Sequence, residues 1–456
     1  MPRNVKFDHI PLDRPVVGFT GALGSGCTFL AKGLSEFHRY YYCSLSKPIH
    51  DALKAKGLEP NSKNLQDIGD KLREENGPDY LVWVVLGEAE SELSKETATE
   101  RPAGLIVDGI RNTAEVQALR AWPHFYLVSV QAKRDLREKR VLAQGDRCKT
   151  EGEFKDADER DAEEQKANGQ QVTKCNYLAD ISVINEKEIS TDAKLECQNY
   201  IHEKLYQPYL MLIERLAMGE QPKEARARLD EALMTLAYVE SRRSSCVKRQ
   251  VGAVIATEDG DVISAGYNDV PEASTPCIYD PRYRWCARDC LQERIAQKIA
   301  CCPSCGSKVE IKVLCQQCSG EVTSFAKRCP HCKADIDIDY LCPKCETKVF
   351  EEFLPGASED KTGKLLDMCR ALHAEENAIL NLSRTGVRLP EKAVLYSTTF
   401  PCNLCANKIV AVGIRTVVYA EPYTMREAEL VFEKKHVALR RFEGVKSNAY
   451  FRLYSR

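Results

Sequence analysis

The run His373-Ala374-Glu375-Glu376-Asn377-Ala378-Ile379-Leu380, answered further along by Phe400-Pro401-Cys402-Asn403-Leu404-Cys405, decides how the C-terminal half of this chain folds. Both blocks lie where a strand pattern gives way to a helical one, over Leu372 to Leu380 and Pro401 to Val412, so the reactive side chains stand at strand-to-helix junctions. One imidazole, His373, and two thiolates, Cys402 and Cys405, suit a tetrahedral Zn²⁺ with its fourth position open, where the metal lowers the pKa of a bound water toward ~7. Glu375, two residues from the His ligand and not a ligand itself, is placed to carry protons. Pro401 suits the first turn of a helix, whose N-terminal dipole favours the two thiolates just inside it. The bland alternative is a lone His beside an unrelated structural CxxC.

Outward from these blocks the chain alternates strand and helix. A helix around Leu229 to Arg242 precedes strands at Val251 to Thr257 and Asp261 to Tyr267. After an interruption the pattern resumes at Leu372, with strands at Ala393 to Ser397 and Thr416 to Ala420. The interruption is a cysteine-rich insert, 301–346, in which Cys302, Cys305, Cys315 and Cys318 form CxxC, nine residues, CxxC, and Cys329, Cys332, Cys342 and Cys345 repeat it. Four thiolates from paired knuckles close a tetrahedral zinc shell, so the repeat predicts two structural Zn²⁺ sites, a tandem zinc ribbon that contributes directly to folding. Counted with its thiolates and two zinc ions, the insert is acidic and offers only Phe325 and Tyr340 for stacking, a poor footprint for nucleic acid. A rim or oligomer-contact role suits it better.

Upstream, Arg14 to Thr20 is a short β-type run emptying into Gly21-Ala22-Leu23-Gly24-Ser25-Gly26-Cys27-Thr28. An apolar stripe follows at helical spacing, Phe29, Leu30, Leu34 and Phe37. The run matches GxxxxGK[ST] except that Cys27 stands where a lysine belongs. Its amides remain able to cradle a phosphate at a helix N-terminus, and Thr28 to meet Mg²⁺. Asp108, ending the apolar strand Gly104 to Gly109, is the candidate second carboxylate at that metal. Further strand at Phe125 to Val130 completes an α/β layered domain over 12–219, ahead of a second over 223–456.

With 456 residues, Lys+Arg 65 against Asp+Glu 67, 43% apolar and 29% charged residues, the chain reads as a soluble multidomain protein with no excess charge to bind a polyanion. Its longest apolar stretch, Tyr80 to Gly87, falls far short of a membrane span, and Met1 to Arg14 holds no apolar signal core. A cytoplasmic location follows, and there 21 cysteines argue for metal rather than disulfides.

HxE followed by PCxxC is the pattern of the zinc-dependent nucleobase deaminases. In order, SRRSSCVKRQVG (241–252), Gly266-Tyr267-Asn268, HAEENAILNL (373–382), YSTTFPC (396–402) and VVYAEPY (417–423) resemble the blocks of the deoxycytidylate deaminase family. The resemblance covers about 223–456 outside the insert. It implies a cytidine-deaminase-like α/β/α sandwich, hydrolytic attack at C4 of cytosine, Asn268 as a sugar contact and Arg249 as a phosphate contact. From the residues alone, Asn268 is equally a turn residue and Arg249 equally a surface charge. VDGIRNTAEV (107–116), RDLREKR (134–140) and GQQVTKCNYLADISVIN (169–185) resemble P-loop nucleotide kinases of the dephospho-CoA and deoxynucleotide kinase kind, in which a lid supplies arginines; Arg137 and Arg140 are the candidates. That resemblance implies nucleotide binding by Gly21, Gly24, Ser25, Gly26, Cys27, Thr28 and Asp108, while the absent lysine argues against phosphoryl transfer. A P-loop kinase-like, parallel-sheet domain ahead of such a deaminase resembles the bacterial antiviral deoxycytidylate deaminases. The arrangement implies depletion of dCMP or dCTP during phage infection, control by a nucleotide effector or an inhibitor partner, and homo-oligomers. Two other readings stay open: deamination of a base in single-stranded nucleic acid or tRNA, and a nucleotide-sensing module with a silent deaminase.

Overall fold

In the computed structural model the described residues are 7–10, 13–95, 101–163, 169–188, 193–271, 274–280, 286–289, 369–422 and 426–455, with scattered positions between 300 and 345. The chain forms two compact units: Met1–Thr235 with Tyr419–Pro422 and Arg440–Arg456, and Leu236–Val418 with Tyr423–Leu439.

The first unit is built on five parallel strands, β1 (Val16–Thr20), β2 (Tyr40–Ser44), β3 (Gly104–Asp108), β4 (Phe125–Gln131) and β5 (Ile181–Ile184), in the order β5-β4-β1-β3-β2. Val16 pairs with Leu105 on one side and Phe125 on the other. Every residue of β1, β3 and β4 is buried, as expected where helices cover both faces of a parallel sheet. Val17, Phe19, Ile106 and Val128 pack with Leu30 and Leu34 of helix α1 (Cys27–His38), while Leu105, Val107 and Leu127 pack with Leu81, Val85 and Leu86 on the other face. The glycine run therefore opens at the carboxyl end of a central strand, where ligands of open α/β sheets bind. Helix α2 (Arg134–Gln144) follows β4.

The second sheet holds β6 (Gly252–Ala256), β7 (Val262–Tyr267), β8 (Val394–Thr399), β9 (Thr416–Glu421) and β10 (Ala438–Arg441), in the order β10-β9-β8-β6-β7, with β6 antiparallel to both β7 and β8. Helix α3 (Ala374–Thr385) lies on β7. Gly266 makes this possible, because a Cβ there would stand 2.4 Å from the amide nitrogen of Ala378. β7 is an edge strand with backbone groups to satisfy, and α3 satisfies them: Asn377 and Asn381, one turn apart, donate to the carbonyls of Tyr267 (2.7 Å) and Ala265 (2.8 Å). Ser264 returns a bond to Ala378 O at 2.7 Å. Helix α4 (Asn403–Ala411) follows β8.

The chain divides differently at its end from the sequence reading, which ran the second domain to 456. The two-residue strand β11 (Gly444–Val445) pairs antiparallel with β5 and becomes the sixth strand of the first sheet. So short a strand carries no periodicity, and side chains fix it instead. Glu231 accepts from Val445 N–H and Tyr454 O–H, each at 2.9 Å. Lys446, 2% exposed, pairs with Glu421 at 2.6 Å and donates to Asn176 O at 2.7 Å. Of the eight ribbon cysteines, Cys302, Cys315, Cys329 and Cys342 lie outside the described residues, while Cys305, Cys318, Cys332 and Cys345 are exposed turn residues. Ala300–Cys301 with Lys308–Val309, and Val313–Leu314 with Glu321–Val322, form two short antiparallel ladders.

Removing one partner of a buried ion pair leaves a bare charge, so Lys446→Ala is expected to lower stability by about 3–5 kcal/mol. Urea unfolding followed by circular dichroism checks this, with Glu421→Gln as the reciprocal variant.

Candidate functional site

Strands β7 and β8 and helices α3 and α4 bring the three expected ligands together. Leu372 and Asp269 form an isolated antiparallel bridge (Leu372 N–H to Asp269 O, 2.8 Å), which ties the segment before α3 to the end of β7. His373 then caps α3 and Cys402 caps α4. The helix starts at Asn403, so Pro401 lies one residue before the cap rather than in the first turn, and the Cys402 thiol itself sits at the positive end of the dipole. His373 Nδ1 lies 3.2 Å from Cys402 Sγ and 3.4 Å from Cys405 Sγ, and the three ligand atoms all fall within 4.8 Å of one another. Lys408 of α4 pairs with Glu376 of α3 at 2.5 Å and holds the two helices in register.

The protonation of this cluster follows from its close packing. Hydrogen bonds from Cys405 and His373 hold the Cys402 thiol down at about 4. Hydrogen bonds to Cys369 and Cys402 raise His373 to about 10. Donors that share protons in this way bind a metal by releasing them. The set fits a zinc ion: two thiolates and an imidazole, nearly closed to solvent, at two helix N-termini.

Glu375, 3% exposed, reaches Ser397 Oγ of β8 at 2.9 Å. Burial pushes its carboxyl up, opposed by the neighbouring His373 charge. A carboxyl so placed is able to take and return a proton. Two residues here carried no sequence signal. Ser397 looks like any strand serine, and Cys369 stands outside the paired CxxC knuckles, four residues before His373; its thiol hydrogen-bonds the His373 ring. Asn268 is 9% exposed; its Oδ1 accepts from Val251 N–H at 2.7 Å and its Nδ2 donates to Arg249 O at 2.9 Å. Asn268 thus braces the loop carrying Arg249.

In the first unit the loop from Gly21 to Gly26 lines a cavity of about 850 Å³ together with Cys27, Thr28 and Asp108. Gly24 (φ +81°) and Gly26 (φ +92°) are left-handed, and a Cβ at Gly26 would meet Asn185 Nδ2 at 2.2 Å, so glycine is required there. Three side chains pull the loop carbonyls outward: Arg137 takes Leu23 O (2.9 Å), Asn185 takes Ser25 O (2.8 Å), and Arg140 reaches Gly24 O at 3.5 Å and Asn185 O at 3.0 Å. Arg137 also pairs with Asp158 at 2.5 Å. Both expected lid arginines therefore brace the loop, and Asn185 does the same without having been singled out. Burial and Asp108 push the Cys27 thiol up to about 12, so it is neutral. Thr28 and Tyr42 each donate to Asp108 Oδ2 at 2.8 Å, while Asp108 Oδ1 is buried without a hydrogen-bond partner among the described residues.

A His–Cys–Cys metal cluster with a buried carboxylate two residues from its histidine defines a zinc-dependent hydrolase. Residues 227–421 match the family described as "Cytidine and deoxycytidylate deaminase zinc-binding region". It is similar to deoxycytidylate deaminase of Schizosaccharomyces pombe, 25% identical over 412 residues, 90% of this chain and 92% of that one. It is also similar to deoxycytidylate deaminase of Saccharomyces cerevisiae, 28% identical over 218 residues, 48% of this chain and 46% of that one, so the matched region spans about half of the yeast protein. The crystal structure of dCMP deaminase from the cyanophage S-TIM5 in complex with dCMP and dUMP covers 48% of this chain and 100% of its own, at 15% identity and a TM-score of 0.26. No helix among the described residues is long and apolar enough to cross a membrane.

Ser397→Ala is expected to keep the zinc while lowering kcat about ten-fold or more with little change in KM, the cost of losing a bond to a charged group. Cys402→Ala is expected to lose the metal. Elemental analysis of the purified variants beside their kinetics separates the two effects.

Proposed function

We propose that the second unit deaminates free deoxycytidine nucleotides, dCMP and by extension dCTP, to the uracil forms. The observation that carries this reading is Glu375, buried and bonded to Ser397, two residues from a histidine that closes on two thiols. Zinc, when bound by His373, Cys402 and Cys405, supplies the Lewis acidity that brings a water's pKa toward ~7. The rest falls to the chain. Glu375 takes the proton from the attacking water and gives it to ring N3 as the oxygen adds to C4. It then carries the second proton to the exocyclic amine, the C4–N4 bond breaks, and ammonia leaves with the uracil carbonyl formed. Ser397 fixes one carboxylate oxygen through this cycle. Asn268 holds the loop that offers Arg249 to the nucleotide.

The first unit, with the 12–219 domain at its centre, serves as a nucleotide-binding regulatory P-loop domain. Its support is the glycine loop at the end of a central parallel strand and the unpartnered Asp108 oxygen beside Thr28, a pair suited to Mg²⁺. The two ribbons of 301–346 take structural zinc and border the deaminase or an oligomer contact. The resemblance to antiviral deoxycytidylate deaminases supports a cytoplasmic homo-oligomer that depletes deoxycytidine nucleotides during phage infection and is held in check by an effector or inhibitor.

Ammonia release and product chromatography with dCMP, dCTP, CMP and single-stranded DNA test the assignment. Activity on the free deoxynucleotides is expected, falling ~10²–10⁴-fold in Glu375→Ala, the range for loss of a general acid–base. Activity on DNA alone, weakening steeply with salt, would establish the nucleic-acid reading instead.

A further inference from the structure

The glycine loop presents a specific deficit. Its carbonyls are tied back by Arg137, Arg140 and Asn185, leaving the loop geometry of a phosphate cradle, yet position 27 carries a neutral thiol in place of a cation. The cavity it opens into has cations of its own, and most are committed. Arg73 pairs with buried Glu115 at 2.9 Å. Arg111 is held by Asp161 and reaches Gln170 at 3.3 Å. Lys139 pairs with Glu188 at 2.8 Å and Lys187 with Glu196 at 3.1 Å, and Lys32 lies exposed on α1. Arg147 differs from all of these. Its guanidinium lines the cavity half-buried and makes no ion pair or hydrogen bond among the described residues. A partly desolvated charge without a partner is costly: burial and the nearby Arg111 charge lower the Arg147 pKa, offset only in part by the carboxylates of Asp146, Asp161 and Asp108. A second group in the same cavity is also unsatisfied: Asp108, 2% exposed, keeps Oδ1 without a partner. An unpaired guanidinium and an unpartnered carboxylate oxygen around a glycine cradle call for a ligand with both anionic and cation-carrying character, which a magnesium polyphosphate supplies.

We propose that Arg147 provides, from the cavity wall, the positive charge that Cys27 removes from the loop, and that the ligand is the magnesium complex of a nucleotide's polyphosphate. This rests on reading the first unit as nucleotide-binding. Arg147 meets phosphate oxygens through charge-assisted hydrogen bonds, the loop amides hold the adjacent phosphate, and Asp108 with Thr28 faces the metal.

Calorimetric titration of the full chain with MgATP and with magnesium tripolyphosphate tests it, using wild type, Arg147→Gln, Arg147→Lys and the double variant Cys27→Lys/Arg147→Gln. Arg147→Gln is expected to weaken binding of both probes at least ten-fold. Arg147→Lys should retain most of the affinity, and the double variant should recover it, because the lysine returns to the loop. Equal affinity in wild type and Arg147→Gln would overturn the proposal while leaving the nucleotide-binding reading in place. Absence of binding by wild type to either probe would overturn both. A melting curve for each variant identifies any that has failed to fold, and Arg147→Lys and the rescue then carry the decision.

Discussion

Two sulfurs and an imidazole nitrogen packed within 4.8 Å, beside a buried carboxyl, make a donor set that a protein interior tolerates only while protons or a cation balance its charge. Everything around the second sheet answers that constraint. Two helices begin at the cluster, so each directs the positive end of its dipole at the thiolates. The Lys408–Glu376 pair keeps the two helices from sliding. Asn377 and Asn381 clamp α3 to the edge strand that Gly266 allows it to approach. Catalytic geometry is thereby fixed by rigid elements, and the single reacting carboxylate is oriented by a strand residue rather than by a loop.

The first unit uses helix-terminus physics with the opposite tenant. In the second unit the negative groups at the helix N-terminus belong to the chain and call for a metal. In the first the carboxylate at the helix N-terminus, Asp108, is held by the Thr28 hydroxyl, and the glycine loop leads into α1. The residues that would oppose an anion there, the loop's own carbonyls, are drawn away by two arginines and an asparagine. Charge that a resemblance assigns to phosphate is spent on shaping the loop. This division of labour commits two arginines beside the glycine loop to backbone carbonyls.

Much of this was legible from residue order. The strands at Val16–Thr20, Gly104–Asp108 and Phe125–Gln131 stood out because central parallel strands are apolar at nearly every position. The metal cluster stood out because ligand chemistry needs particular side chains at particular spacings. What escaped has a common cause. Tyr40–Ser44 is a half-buried strand written largely in tyrosine, and Gly444–Val445 is too short for any period. Ser397, Asn185 and Asn377 each act through a hydrogen bond to a distant partner, 22, 160 and 110 residues away. Pairings over such distances are set by the fold, and no local pattern announces them. Asn268 shows the reverse: a residue picked out by resemblance has both amide atoms on backbone 17 and 19 residues distant.

The substitution at Cys27 bears on what the first unit is for. A lysine on the loop travels with the migrating phosphoryl group and neutralises charge as it develops, which is how such loops contribute to transfer. A thiol held neutral by burial cannot do this. A guanidinium on the cavity wall attracts the same phosphates in the ground state but gives no added stabilisation to a group in flight, so it strengthens binding without lowering the barrier. On the proposed reading, a unit built this way would retain a nucleotide rather than consume it. Occupancy of its cavity would then follow nucleotide concentration by mass action, the property a regulatory domain needs when its partner activity acts on the nucleotide pool.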